Sequence, residues 1–226
     1  MKLYVTRHGE TPMNAAHRVC GLTNIDLTEK GIAQAKEAGR SLQEKGIKRI
    51  IASPLLRAQH TARLIADEIG IDTIETEQRL IEQNYGIYEN TDWDGEAFNA
   101  NKREFAVRYP GGESMLDLAG RLYPLLNKLK AENGPTTLLV CHGGICRMIR
   151  TYFLDVKNTD YAAFKLPNCG IMEFDLQKKA SRLSRDAFYL RFRRSAMLRV
   201  VLAFDAAVKP LASQIINNED HRRDDP

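Results

Sequence analysis

Arg7 and His8 stand together at the end of the apolar run Leu3-Tyr4-Val5-Thr6, and Gly9 follows them. A short apolar run bounded by a turn residue reads as a buried strand. The carboxyl end of such a strand is where open α/β sheets hold their ligands. A guanidinium grips an oxyanion through two parallel N–H groups, and a neutral imidazole beside it can attack phosphorus. The setting recurs in Thr137-Leu138-Leu139-Val140-Cys141, which runs into His142-Gly143-Gly144. Two strand-end histidines, each followed by glycine, point to one phosphate site assembled from distant parts of the chain.

The elements that must position them alternate between strand and helix. Thr28 is the N-cap of a helix that carries Ile32, Ala35, Ala38, Gly39 and Leu42 and stops at Gly46. Arg49-Ile50-Ile51-Ala52-Ser53 reads as a second strand closed by Pro54, and a helix follows from Leu55 through Ile69 to Gly70. Thr73 to Thr76 reads as a third, short strand. Residues 81–112 are the least regular part, with a helix predicted near 96–108, and read as a cover over the site. Ser114 caps the next helix, in which Pro124 predicts a kink or a break. After the turn at Gly134-Pro135 come the strand ending at Cys141, a helix from Gly144 to Leu154, and a last strand over 170–176. Such alternation means an α/β sheet with helices on both faces.

The chain of 226 residues has room for one well-buried domain, and 43% hydrophobic with 27% charged residues is ordinary for a soluble globular protein. No secretory leader or membrane-spanning run is evident. The four cysteines have neither CxxC pairing nor metal-ligand spacing, so buried free thiols in a reducing cytoplasm are expected. The formal net charge of +4 lies wholly in residues 179–226, which hold 10 Lys and Arg against 6 Asp and Glu; residues 1–178 hold 23 of each. The main domain therefore gives no argument for nucleic-acid binding. The boundary is drawn between a domain at 1–178 and a basic C-terminal extension at 179–226. In the extension helix and strand both stay open, Asn217 to Pro226 reads as disordered, and docking element, membrane-surface element and appended non-native sequence remain alternatives. A homodimer also stays open.

Thr6-Arg7-His8-Gly9-Glu10-Thr11 with Asn14 resembles the signature of the histidine phosphatase superfamily, the phosphoglycerate mutase-like proteins. Other blocks follow in that family's order: Gly21 to Ala35, Ser53-Pro54-Leu55-Leu56-Arg57-Ala58-Gln59-His60-Thr61-Ala62, Leu80-Ile81-Glu82 with Gly86 and Glu89, Pro110-Gly111-Gly112-Glu113-Ser114, and His142-Gly143-Gly144. The match covers 1–176 and leaves the extension out. It implies a three-layer α/β/α sandwich around a mostly parallel sheet. It also implies His8 as nucleophile, Arg7 and Arg57 as clamp on the phosphoryl oxygens, and His142 as second imidazole donating to one of them. Glu82 is the implied general acid and then base, with Glu89 and Glu10 as rivals. Beside a dianionic phosphate such a carboxyl is expected to hold a proton for the leaving group. Asn14, Gly21, Thr23 and Gly143 complete the implied substrate contacts, and no metal or cofactor is expected. The family commonly has glycine where this chain has Asn90, which tolerates positive φ better than most residues. Trp93 and Tyr88 either wall in the substrate's organic part or pack in the core.

The leading expectation is a metal-independent phosphatase, of the histidine acid phosphatase type, acting on a small phosphorylated metabolite in the cytoplasm. A cofactor-dependent phosphoglycerate mutase is the alternative. Such mutases usually carry a longer insertion and extra basic residues before the PGGES-like block. Here only 28 residues separate Glu82 from Gly111, with Lys102-Arg103 the sole adjacent basic pair, which favours the phosphatase. A non-catalytic binder of phosphorylated ligands ranks lowest, since every residue the chemistry needs is present.

Overall fold

Five strands form one sheet in the computed structural model, which describes residues 1–177. The strands are β1 (Lys2–Arg7), β2 (Arg49–Ala52), β3 (Ile74–Thr76), β4 (Thr137–Cys141) and β5 (Ile171–Asp175), in the spatial order β3-β2-β4-β1-β5. All neighbours run parallel except β5, which closes the β1 edge antiparallel. The basic extension expected at 179–226 lies outside the described residues.

In register across the sheet, Tyr4, Leu138 and Ile50 face one side, and Val5, Leu139 and Ile51 the other. The first set packs with Ala38 and Leu42 of α2 (Glu29–Leu42) and with Ala58, Ala62 and Ile65 of α3 (Leu56–Ile69). On the opposite face α6 (Gly143–Phe153) lies against β1, and α5 (Met115–Glu132) against α6. These are the expected three layers. Strand β4, apolar after Thr137, is buried along its whole length, as a strand covered on both faces must be.

The expected caps are present. Thr28 accepts from the Gly31 amide at 3.0 Å, Ser114 and Asp117 form a capping box, and Gly46 and Gly70 end their helices at φ 66° and 71°. Two expectations are corrected. The helix expected near 96–108 is the six-residue α4 (Glu96–Asn101), followed by turns to Tyr109. α5 runs unbroken through Pro124, because the carbonyl that loses its donor belongs to Gly120, and both residues are exposed on the solvent side, where water can supply the missing partner. Two short helices, α1 (Pro12–Ala15) and α7 (Asn158–Ala163), were not expected. Of the four thiols Cys141 and Cys146 are buried, in β4 and α6, whereas Cys20 and Cys169 are partly exposed because both lie on loops. Among the described residues no helix is long and apolar enough to cross a membrane.

The loop leaving β1 passes so close to α2 that a methyl at Gly31 would overlap the Glu10 carbonyl and one at Gly9 the Gly31 carbonyl. Gly31→Ala is expected to destabilise the protein by about 1–3 kcal/mol, the usual cost of forcing atoms into a packed contact. A shift of the urea midpoint at unchanged slope measures it.

Candidate active site

The parallel pairing of β1 with β4 ends with Arg7 opposite Cys141, and the His8 amide then donates to the Cys141 carbonyl at 2.9 Å. The next residues on the two chains are His8 and His142, whose rings stand 5.1 Å apart. On the far side of β4 the chain leaving β2 donates from the Ser53 amide to the Val140 carbonyl at 3.0 Å. Three adjacent strand ends thus deliver Arg7 and His8, His142, and Ser53 to one place, with Arg57 on the first turn of α3 just beyond.

His8 is buried, and its Nδ1 lies 2.7 Å from the Gly9 carbonyl. A carbonyl only accepts, so Nδ1 carries the hydrogen and Nε2 keeps its lone pair. The Arg57 Nε–H group donates to that Nε2 at 3.2 Å. Burial first, and then the charges of Arg57 and Arg7, hold the imidazole well below the ordinary histidine pKa. It is neutral at physiological pH, with its lone pair on Nε2.

His142 is fully buried with Nε2 2.6 Å from Ser53 Oγ, and its Nδ1 has no hydrogen-bond partner among the described residues. The Leu55 amide already donates to the same hydroxyl oxygen at 3.4 Å, so the Ser53 hydrogen is free for Nε2. That arrangement leaves Nδ1 as an N–H donor without an acceptor, the form that suits an oxyanion. Burial, followed by Arg57 and His8, also pushes this ring well below the usual value.

Glu82 is buried, with one carboxylate oxygen accepting from the Gly144 amide at 2.9 Å and the other from the Gln83 amide at 2.8 Å. The first of these is in the opening turn of α6, so the carboxyl group is tied to the element that follows His142. The rivals serve elsewhere. Glu10 pairs with Lys30 at 2.6 Å, and Glu89 accepts from the Gly21 amide at 2.9 Å and the Thr23 hydroxyl at 2.6 Å. Gly21 and Thr23, expected at the substrate, instead give their carbonyls to the two Nη groups of Arg57, at 2.8 and 2.7 Å. They position the arginine and do not line the cleft, and of the guanidinium only Nε faces His8.

Arg7, His8, Asn14, Glu82 and Gly143 line a common cleft, with Arg57 and His142 directly behind it. Arg7 donates from Nη1 to the Leu166 carbonyl at 2.9 Å, and its buried Nε has no partner among the described residues. Asn14 Oδ1 accepts from the Asn168 side chain and the Thr11 amide, so its side-chain N–H groups are the part left to donate. Asn168 also donates to the His8 carbonyl at 3.0 Å, a support that sequence reading missed because a lone loop asparagine carries no signal. The cover is aromatic: Phe98 meets Tyr85, Tyr88 and Tyr109 at centroid distances of 5.3 to 5.9 Å. Trp93 is in the cleft wall, while Tyr88 packs behind it. Asn90 has φ 61°, so the turn survives without glycine. Among the described residues no three His, Cys, Asp or Glu side chains converge as a group able to hold a metal ion.

The family model described as "Histidine phosphatase superfamily (branch 1)" matches residues 3–187. A curated relative, the probable phosphoglycerate mutase GpmB of Yersinia pestis, is 34% identical over 189 residues, covering 79% of this chain and 86% of its own. Among solved structures, a mycobacterial glucosyl-3-phosphoglycerate phosphatase superposes with a TM-score of 0.66 at 28% identity, covering 76% of this chain and 88% of its own. A phosphoserine phosphatase of Entamoeba histolytica, solved with 3-phosphoglyceric acid, gives 0.67 at 28%, covering 77% and 90%.

Two outcomes test this geometry. A methyl at Gly144 would lie 2.6 Å from Glu82 Oε1 and 2.8 Å from the Tyr85 hydroxyl, so Gly144→Ala is expected to displace the carboxylate and lower turnover about 10²-fold. The two buried histidines resist protonation in the folded state only, so the unfolded chain binds more protons below about pH 6.5. Stability is complete above that pH and falls as the solution is acidified from 7 to 5, by up to about 1.4 kcal/mol per pH unit for each histidine. Thermal melts of wild type and His142→Asn check the slope, which is expected to be shallower in the variant.

Proposed function

Since the chain belongs to the histidine phosphatase superfamily, we propose that it is a phosphomonoesterase of the histidine acid phosphatase type, acting through a phosphohistidine on His8. The observation that carries this reading is the pairing of an Nδ1-protonated, neutral His8 with the Arg57 Nε–H group at its free nitrogen. A phosphomonoester brings about two negative charges, which Arg7 and Arg57 match. Arg57 Nε–H moves from the imidazole to a phosphoryl oxygen, and His142 Nδ1 and the Asn14 amide donate to the others.

His8 Nε2 attacks phosphorus in line, and the N–P bond forms as the P–O bond to the alcohol breaks. Glu82, in its protonated form, gives its proton to the departing alkoxide. Its carboxylate then takes a proton from water, the resulting hydroxide attacks phosphorus, and the P–N bond breaks to return neutral His8 and inorganic phosphate. No step calls for a metal ion. The expected site of action remains the cytoplasm and the substrate a small phosphorylated metabolite.

The mutase reading keeps one specific support, the name of the Yersinia relative. Against it stand the two phosphatase neighbours and the short segment between Glu82 and Gly111. Steady release of phosphate without any bisphosphoglycerate decides for the hydrolase.

His8→Ala is expected to abolish phosphate release and the acid-labile, alkali-stable label that a substrate pulse leaves on wild type; retained turnover at the wild-type rate defeats the nucleophile assignment. Glu82→Gln is expected to lower kcat about 10²–10⁴-fold on an alkyl phosphate. The first step should suffer less with p-nitrophenyl phosphate, whose leaving group needs no proton.

A further inference from the structure

The cleft holds more positive charge than a phosphoryl group uses. Lys102, directly after α4, is only 6% exposed, and its ammonium has Asn99 Oδ1 at 3.0 Å and the Phe98 ring at 4.9 Å as neighbours. Lysine is almost never buried in this way without a counter-charge. Arg147, on α6, is 8% exposed, gives its Nε–H to the Phe164 carbonyl at 3.2 Å and lies 5.6 Å from the Tyr161 ring. Among the described residues neither cation has a carboxylate at ion-pair distance. A third, Lys165, has Asp94 at 3.4 Å and is thereby balanced.

These residues line the same cleft as Arg7 and His8, and its acidic member, Glu82, spends its two oxygens on backbone amides. Two unbalanced cations side by side in a desolvated wall are unfavourable unless an anion joins them. Burial, with Arg147 and Lys165 adding to it, drags the Lys102 ammonium down to about 7, and an anion bound between the two side chains would favour its charged form. The phosphate dianion does not supply that partner, because Arg7 and Arg57 already match its charge. Of the adjacent basic pair Lys102-Arg103, Arg103 is exposed, so the second cation comes from α6, far away in sequence.

We propose that Lys102 and Arg147 form a second anion site, so that the preferred substrate is a small phosphomonoester carrying an additional acidic group, of which a carboxylate is the smallest. This rests on the reading of the cleft as a phosphomonoester site. It assigns Lys102 and Arg147 to substrate choice, not to the chemical step.

The test compares two ligands that differ only in this group, 3-phosphoglycerate and glycerol 3-phosphate, whose CH₂OH replaces the carboxylate. Calorimetric titration of the full-length His8→Ala protein avoids turnover. The phosphoglycerate is expected to bind at least about tenfold more tightly, and Lys102→Met or Arg147→Met, added singly, to bring the ratio toward one. Equal affinities, no binding of either ligand, or a ratio that neither substitution moves would overturn the proposal. Phosphate release by the wild-type protein is read separately: its absence with both esters counts against the hydrolase, whereas selective binding alone still supports the second anion site.

Discussion

The pairing of β1 with β4 is the constraint on which the site depends. Parallel register sets Arg7 beside Cys141, and the hydrogen bond from the His8 amide to the Cys141 carbonyl carries it one residue further. Each histidine is therefore the first residue past its strand. A slip of one residue would turn the alternating side chains to the wrong faces and separate the rings. The helices after the two strands lie on opposite faces of the sheet, which opens the crevice at this point. Nothing local to either histidine could have produced it.

Electrostatics then sets the protonation of that crevice. Burial in low-dielectric surroundings, and then the charge of the neighbouring guanidinium groups, hold both imidazoles neutral. The arginine nearest His8 is itself held by the backbone: Gly21 and Thr23 carbonyls anchor Arg57, and Glu89 anchors the amides and hydroxyl of the same loop. Glu89, a rival for the acid role in the sequence, is thus part of the support that aims an arginine. Glu82 is fixed in turn by the first turn of α6, so the strand-end histidine and the carboxylate share one structural base. Preorganisation of this kind spares the reaction the cost of reorienting dipoles.

The cover is the region where physical pattern is weakest. It has one short helix and several turns, and its side chains are fixed by aromatic edge-to-face contacts across many residues, not by periodicity. The positive φ of Asn90 shows why glycine is replaceable there. Burial of Lys102 goes with the same packing, since the Phe98 ring and Asn99 Oδ1 are the neighbours of its ammonium. A sequence window around Lys102-Arg103 shows two surface-like charges; only the folded cover sends one inward.

Apolar runs, caps and the glycine stops made the layers and most helix boundaries readable without coordinates, because those signals act between near neighbours. The residue blocks around Arg7-His8, Arg57, Glu82 and His142 likewise pointed to groups that the fold brings to one place. Tertiary structure alone decided what each group touches. It placed Gly21 and Thr23 behind Arg57, joined Ser53 to His142, brought Asn168 under His8, and set Arg147 in the same wall as Lys102. Pro124 shows the same limit in the fold, since its cost depends on whether water can reach the Gly120 carbonyl. Such outcomes depend on which surfaces meet across the sheet, and the order of residues along the chain carries no local signal of that.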